Sequence, residues 1–425
     1  MSGSNASGQP ARSATWRAAL VASPWFVRTA FAACWLASVL VQVWLALHTR
    51  GFVGDQRIFW GWMQAIHQYG LPSVYRTMDV DYPPVYLWVL GLYARLASAG
   101  HWAVPPTGAG MKWPGIAIAA AAMLLFYWVT RGVRPGWRVF ILAFFCLNPA
   151  VIYDTAVWGQ VDILDGILVL AALAWYLRRP ALAGGSWAVG LLAKFQSIVV
   201  LPVLGGLWLR DLAQRSYRRA AWFAAGAALP LLAVSLYFAG TGTLGQMVFK
   251  AYIATTGEYP YVTLNAMNVW YFVYGGMPWM PDTAPVLPGL TVKALGLILL
   301  AAATLYALVY LWWHADLRTA AVLKAAAMLS LAFFMLPTEI HERYILMAVM
   351  LSVAAAAFDR RWAWLAAGLT LSAWCNLMAV VSHAVNPDQD MWMVYLNALV
   401  FAVMCVLMQR EVGWPASWRA FLPAR

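Results

Sequence analysis

Three short clusters in this 425-residue chain hold the residue types that could do chemistry. The first joins Gly54-Asp55-Gln56-Arg57 to Asp79-Val80-Asp81-Tyr82-Pro83-Pro84. After Asp55, the residues Ile58, Trp62, Ile66 and Tyr69 recur at helical spacing, which predicts an amphipathic helix over 55–69 lying along a membrane surface. Taken by itself, Asp55 reads as the N-cap of that helix, its carboxylate accepting free backbone N–H groups. The paired prolines hold Asp81 and Tyr82 extended where the next apolar segment begins, so Asp81 is either part of a rigid turn or a positioned acid.

The second cluster follows Asn148-Pro149. Asp154 precedes Trp158-Gly159-Gln160-Val161-Asp162, and Asp165 stands one helical turn further on. Ionisable groups between apolar stretches are costly unless they face water or a partner, which sets a functional reading beside a purely structural polar network. Lys194 and Gln196 interrupt another apolar stretch, and a buried lysine needs an anion: a lipid-linked phosphate or Asp162.

The third cluster is Glu339-Ile340-His341-Glu342-Arg343-Tyr344, after Pro337. It is not a zinc-protease helix, because Ile345 stands where the second histidine would be. An arginine holds a phosphate by forked hydrogen bonds and a histidine adds a single one. The alternative is an ordinary charged loop.

The elements that must position these residues follow from composition. With 63% hydrophobic and 10% charged residues, the chain has more apolar surface than a soluble fold of its size could hide. Runs of about 20 apolar residues, the length that crosses a bilayer as helix, recur from 27–48 to 391–409. The expected fold is therefore all-α and polytopic, with 11–13 spans in one membrane-embedded domain over 27–410. Residues 1–26 are expected to be a disordered cytoplasmic tail and 411–425 a second cytoplasmic tail. The range 180–209 suits two short spans broken around Lys194 better than one, since Arg178, Arg179 and Arg210 then share a side.

Basic loops such as Arg131/Arg134/Arg138 and Arg360/Arg361 place the N-terminus in the cytoplasm. The first outer loop is then 49–111 and a later one 241–289, with the apolar 84–99 segment treated as re-entrant or interfacial because 16 residues are short for a span. Twelve of the sixteen acids fall on or near the outer face. The net charge of +12 sits in the loops that orient the protein, so nucleic acid is not implied. Cys34, Cys146, Cys375 and Cys405 lie singly in apolar segments and read as packing residues.

The ordered set Gly54-Asp55, Arg57, Trp62-Met63, Asp81-Tyr82-Pro83-Pro84, Leu147-Asn148-Pro149, Gly159-Gln160, Lys194-x-Gln196 and His341-Glu342-Arg343-Tyr344 resembles the GT-C membrane glycosyltransferases. It is most similar to the Gpi18-like bacterial mannosyltransferases and the dolichyl-phosphate-glucose glucosyltransferases. The Trp158-Gly159-Gln160 turn departs from the eukaryotic enzymes, so the sugar is not carried over.

The resemblance implies an inverting hexose transfer from a polyprenyl-phosphate-sugar donor to a lipid-linked or surface glycan acceptor, on the periplasmic side of a bacterial inner membrane. It makes Asp55 the general base, and no cofactor or essential metal is expected. His341, Arg343 and Lys194 are then expected to hold the donor phosphate, Gln160 and Asp162 to shape the sugar pocket, and Asp81, Tyr82 and Glu342 to contact substrate. The rivals are a secondary transporter or a lipid or glycan flippase, which would also bury ionisable groups, and a non-catalytic membrane scaffold, which would not need Asp55.

Overall fold

The computed structural model describes residues 23–314 and 318–412. The expected disorder of the N-terminal tail lies outside the described residues up to 22, as does the C-terminal tail from 413. Within them both ends are more helical than expected. Ser23 Oγ accepts from the Phe26 backbone N–H and caps a helix that already begins at Pro24, and the last helix runs on to Val412.

The protein is an all-α polytopic membrane protein: among the described residues eight helices are long and apolar enough to cross a membrane. In chain order the principal helices are α1 (Pro24–His48), α2 (Val53–Tyr69), α3 (Pro84–Ala99), α4 (Ala109–Val129) and α5 (Pro135–Cys146). They continue with α6 (Asp162–Trp175), α7 (Pro180–Ala193), α8 (Leu201–Ala213), α9 (Tyr217–Gly240) and α10 (Val292–Trp313). The last four are α11 (Thr319–Met335), α12 (Ile345–Phe358), α13 (Trp362–Val381) and α14 (Pro387–Val412). The loop between α9 and α10 carries a small antiparallel hairpin, Pro285–Leu287 with Leu290–Thr291, that the sequence did not announce.

Apolar residues surround α11 and α12 on every side, and both are buried along nearly their whole length, as a helix without a polar face must be. The outward faces of α1 and α9 carry exposed leucines such as Leu40, Leu229 and Leu236, suited to lipid. Helices α7 and α9 approach most closely where Gly184 meets the Phe223 carbonyl and Gly226 meets that of Ala181. A Cβ at either glycine would stand about 2 Å from those oxygens, so the two backbones need hydrogen there.

The predicted break at Lys194 is present. Helix α7 ends at Ala193, Lys194 is extended at φ −154° and ψ 137°, and a 3₁₀ turn over Phe195–Val200 leads into α8. The segment 84–99 is a regular helix lying against α2.

At the opposite end from the candidate chemistry the acids are neutralised in place. Lys324 Nζ bonds Asp359 Oδ2 at 2.7 Å and Glu411 Oε1 at 2.5 Å, Arg361 bridges the same two carboxylates, and Tyr310 donates to Glu411. Burial would raise the Asp359 carboxyl, but the bonds from Arg361 and Lys324 hold it below the ordinary range. Asp211 is held likewise by Arg219 and Tyr176.

Candidate active site

Asp55 stands on the first turn of α2, and it does not cap that helix. The cap position is Phe52, with no side-chain bond. Instead Asp55 Oδ2 accepts the Trp158 indole N–H at 2.9 Å and the Gln160 amide N–H at 2.5 Å. Both bonds fall on one oxygen, and no described residue donates to Oδ1. The N-cap reading fails because the Trp158-Gly159-Gln160 turn is close enough to supply stronger directed donors than the helix end.

Neighbouring residues set that approach. Gln56 donates to the carbonyls of Arg50 and Trp158, each at 3.0 Å, and accepts from Gly108 N–H, stapling the start of α2 to the turn. Residues Tyr153–Trp158 form a π-helical turn closed by Gly159 at φ 94°, with the Gly159 and Gln160 N–H groups both on the Asp154 carbonyl. The left-handed conformation at Gly159 suits glycine, and it points Trp158 and Gln160 at the same carboxylate.

The burial pattern of α2 differs from the expected one. The stripe expected along the membrane surface divides: Trp62 and Ile66 are buried with Gln56, Phe59 and Met63, while Ile58 and Tyr69 are exposed. The reason is that α2 packs on α3: Phe59 meets the rings of Tyr82 and Tyr86 edge-on, and Trp62 also touches Tyr82. This aromatic cluster fixes Tyr82, whose hydroxyl donates to Gln160 Oε1 at 3.1 Å, completing a chain Tyr82, Gln160, Asp55.

A cavity of about 540 Å³ opens in front of this chain, within the range of small-ligand sites. Asp55, Asp81, Tyr82, Gln160, Lys194, His341, Glu342 and Arg343 all line it, so eight of the nine residues singled out from the sequence share one space. The ninth, Asp162, stands behind that wall. It pairs with Lys194 Nζ at 2.5 Å and faces a second, much smaller cavity. Of the two anions considered for Lys194, Asp162 is the one in contact.

Arg343 donates to Glu342 Oε1 at 3.1 Å and lies over the Trp158 and Tyr344 rings, while its buried Nε has no partner. Burial would lower its pKa, but Asp55 and Glu342 outweigh that and hold the guanidinium well above its usual value. Enclosure, Arg343 and Lys194 push His341 well below the ordinary histidine value, so at neutral pH it is an uncharged donor and acceptor. Burial lifts Glu342 to about 7 against the pull of Arg343. Asp81 is also raised by its surroundings, with Arg343 and Lys194 opposing.

Sequence reasoning missed three contributions. Trp158 was read only as part of a turn, although an indole N–H beside Gln160 was the signal for a second donor. Gln56 carried no signal beyond its neighbour. The loop before α10, to which no site role had been given, supplies Thr255, Glu258, Tyr259 and Trp279 to the cavity lining, with Tyr259 edge-on to His341 at 5.7 Å. Glu339 also lines the cavity, but its carboxylate is taken up by Lys293 and the Gly257 N–H, which secures that loop.

Fold and site together define a helical membrane protein with a large cavity lined both by ionisable groups and by aliphatic ones such as Ile198, Leu297 and Leu300. Neither protein-family models nor curated proteins gave a match to the chain.

Proposed function

We propose that this protein is an inverting glycosyltransferase that moves a hexose from a polyprenyl-phosphate donor to a lipid-linked or surface glycan. The observation that carries the proposal is Asp55, with one carboxylate oxygen anchored and the other open, on the same cavity as Arg343 with an unpartnered N–H. Asp55 Oδ1 takes the proton of an acceptor hydroxyl as that oxygen attacks the anomeric carbon from the face opposite the phosphate. The bond from the sugar to the phosphate breaks, its electron pair stays on the phosphate oxygen, and Arg343, neutral His341 and Lys194 stabilise that charge. A phosphate leaves readily, so no general acid is needed.

The aliphatic side chains Ile198, Leu297 and Leu300 in the lining support a lipid donor, since an isoprenoid chain would lie against them. Tyr259, Trp279 and Glu258, which also line the cavity, offer the ring faces and carboxylate that suit an acceptor sugar. We place the reaction on the periplasmic side of a bacterial inner membrane. The broken helix at Lys194 is the feature that favours transport as a second reading.

Purified protein in liposomes, given labelled polyprenyl-phosphate-mannose or -glucose and membrane extract from cells lacking the gene, should yield labelled glycan. Donor left intact with both sugars opposes the proposal, and movement of the label across the bilayer without bond cleavage favours transport.

The electrostatics add a pH signature. Below about 7 Glu342 gains a proton and stops competing with the donor for Arg343. A phosphodiester keeps one charge across this range, so donor affinity should rise as pH falls from 8 to 6, by at most about tenfold per unit because one proton is linked. Glu342→Gln should flatten that profile in a titration of donor binding; an unchanged slope would assign it elsewhere.

A further inference from the structure

The second cavity lies beneath Lys194, enclosed between α6, the turn after α7, α11 and α12. It is lined by Asp162, Asp165, Gln196, Ser330 and Tyr344 with apolar residues closing the rest. Its volume of about 10 Å³ admits one particle the size of a water molecule. Three oxygens belonging to its lining residues are buried without a partner: Asp162 Oδ2, Gln196 Oε1 and Ser330 Oγ, the last on a side chain only 1% exposed.

Charge decides what this space suits. Two carboxylates face it, and Lys194 answers only one of them, through Asp162 Oδ1. A second buried carboxylate without a counter-charge is expensive among apolar helices. Counting the two lining carboxylates and Lys194, one further positive charge balances the cavity. The donors are all oxygen, carboxylate, amide and hydroxyl, which select a hard cation over a transition metal. A bare sodium ion is smaller than water and so enters this space without its hydration shell; a bare potassium ion, about as large as water, is the natural comparison.

We propose that Asp162, Asp165, Gln196 and Ser330 form a binding site for one sodium-sized monovalent cation. The inference does not depend on the reaction proposed above, but it bears on Lys194: a cation sharing Asp162 loosens the hold of that carboxylate on the lysine and leaves more of its charge directed at the large cavity.

The test uses the full-length protein in detergent, with thermal unfolding followed in sodium, potassium or choline chloride at equal ionic strength. Sodium should raise the midpoint by several degrees over choline, with saturation, and Asp165→Asn and Ser330→Ala should each lose the increment. Asp388→Asn should keep it, since Asp388 is exposed on the first turn of α14 and lines no part of this cavity. Equal midpoints in the three salts, or an increment surviving in both cavity variants, would overturn the proposal and leave a proton as the balancing charge. Should those variants fail to fold, wild-type protein must still retain about one labelled sodium ion per chain; none retained is equally decisive.

Discussion

Asp55→Asn should lose roughly a thousandfold or more in transfer rate while leaving the protein folded and donor affinity close to wild type. The hydrogen bonds at Asp55 explain why the asparagine is so informative. Trp158 and Gln160 both donate to Oδ2, so the asparagine must place its oxygen there. Its NH₂ then occupies the position of Oδ1, facing the acceptor hydroxyl with protons of its own. The shape and anchoring survive and the ability to receive a proton does not. Single-turnover transfer from a polyprenyl-phosphate hexose, measured beside donor affinity and the unfolding midpoint, separates the two. Undiminished transfer would exclude Asp55 as base, and a transporter or scaffold would show no such dependence.

The second large effect is expected at Arg343. Its guanidinium is buried beside Asp55 and Glu342 and still has Nε without a partner, so an anionic group entering the cavity meets preorganised donors. Arg343→Ala should weaken donor binding by about 2–5 kcal/mol, the usual cost of deleting one partner of a buried charge-assisted contact. Arg343→Lys should recover only part of this, because a lysine restores the charge but not the fork. Titration of the purified variants with polyprenyl phosphate checks both, and unchanged affinity in the alanine variant would remove Arg343 from the site. Glu342 complicates the alanine variant less than a buried carboxylate usually would, since at about 7 it can take a proton once its partner is gone.

Much of this arrangement was legible in the sequence because polar residues are so scarce in it. In a chain only 10% charged, a carboxylate or cation beside an apolar run stands out, and Asp55, Asp81, Lys194 and Arg343 do line one cavity. The helical fold and the break at Lys194 followed from the same contrast. What periodicity could not reveal was partnership. The face that α2 buries depends on the rings of Tyr82 and Tyr86, so Phe59 and Met63 are covered with Trp62 and Ile66, while Ile58 and Tyr69, read with those two as one membrane-facing stripe, stay exposed. The N-cap reading of Asp55 failed for the same reason, since its donors come from about 100 residues away in sequence. The loop before α10 reaches the cavity through side chains whose types are ordinary in any loop, and only the fold brings them there.

The ion cluster around Lys324 has a consequence for how the chain is made. Asp359 follows Lys324 by 35 residues and Glu411 by 87, the latter in the final turns of α14. As the protein emerges from the ribosome, α11 must enter the membrane with an ammonium that has no partner until α12 and the Asp359 that follows it have been made, and that is not fully answered until α14 is nearly complete. Its complete seating therefore belongs to the end of synthesis, and a chain stopped short of Glu411 leaves Lys324 with Asp359 as its one carboxylate and without the second that the finished fold supplies.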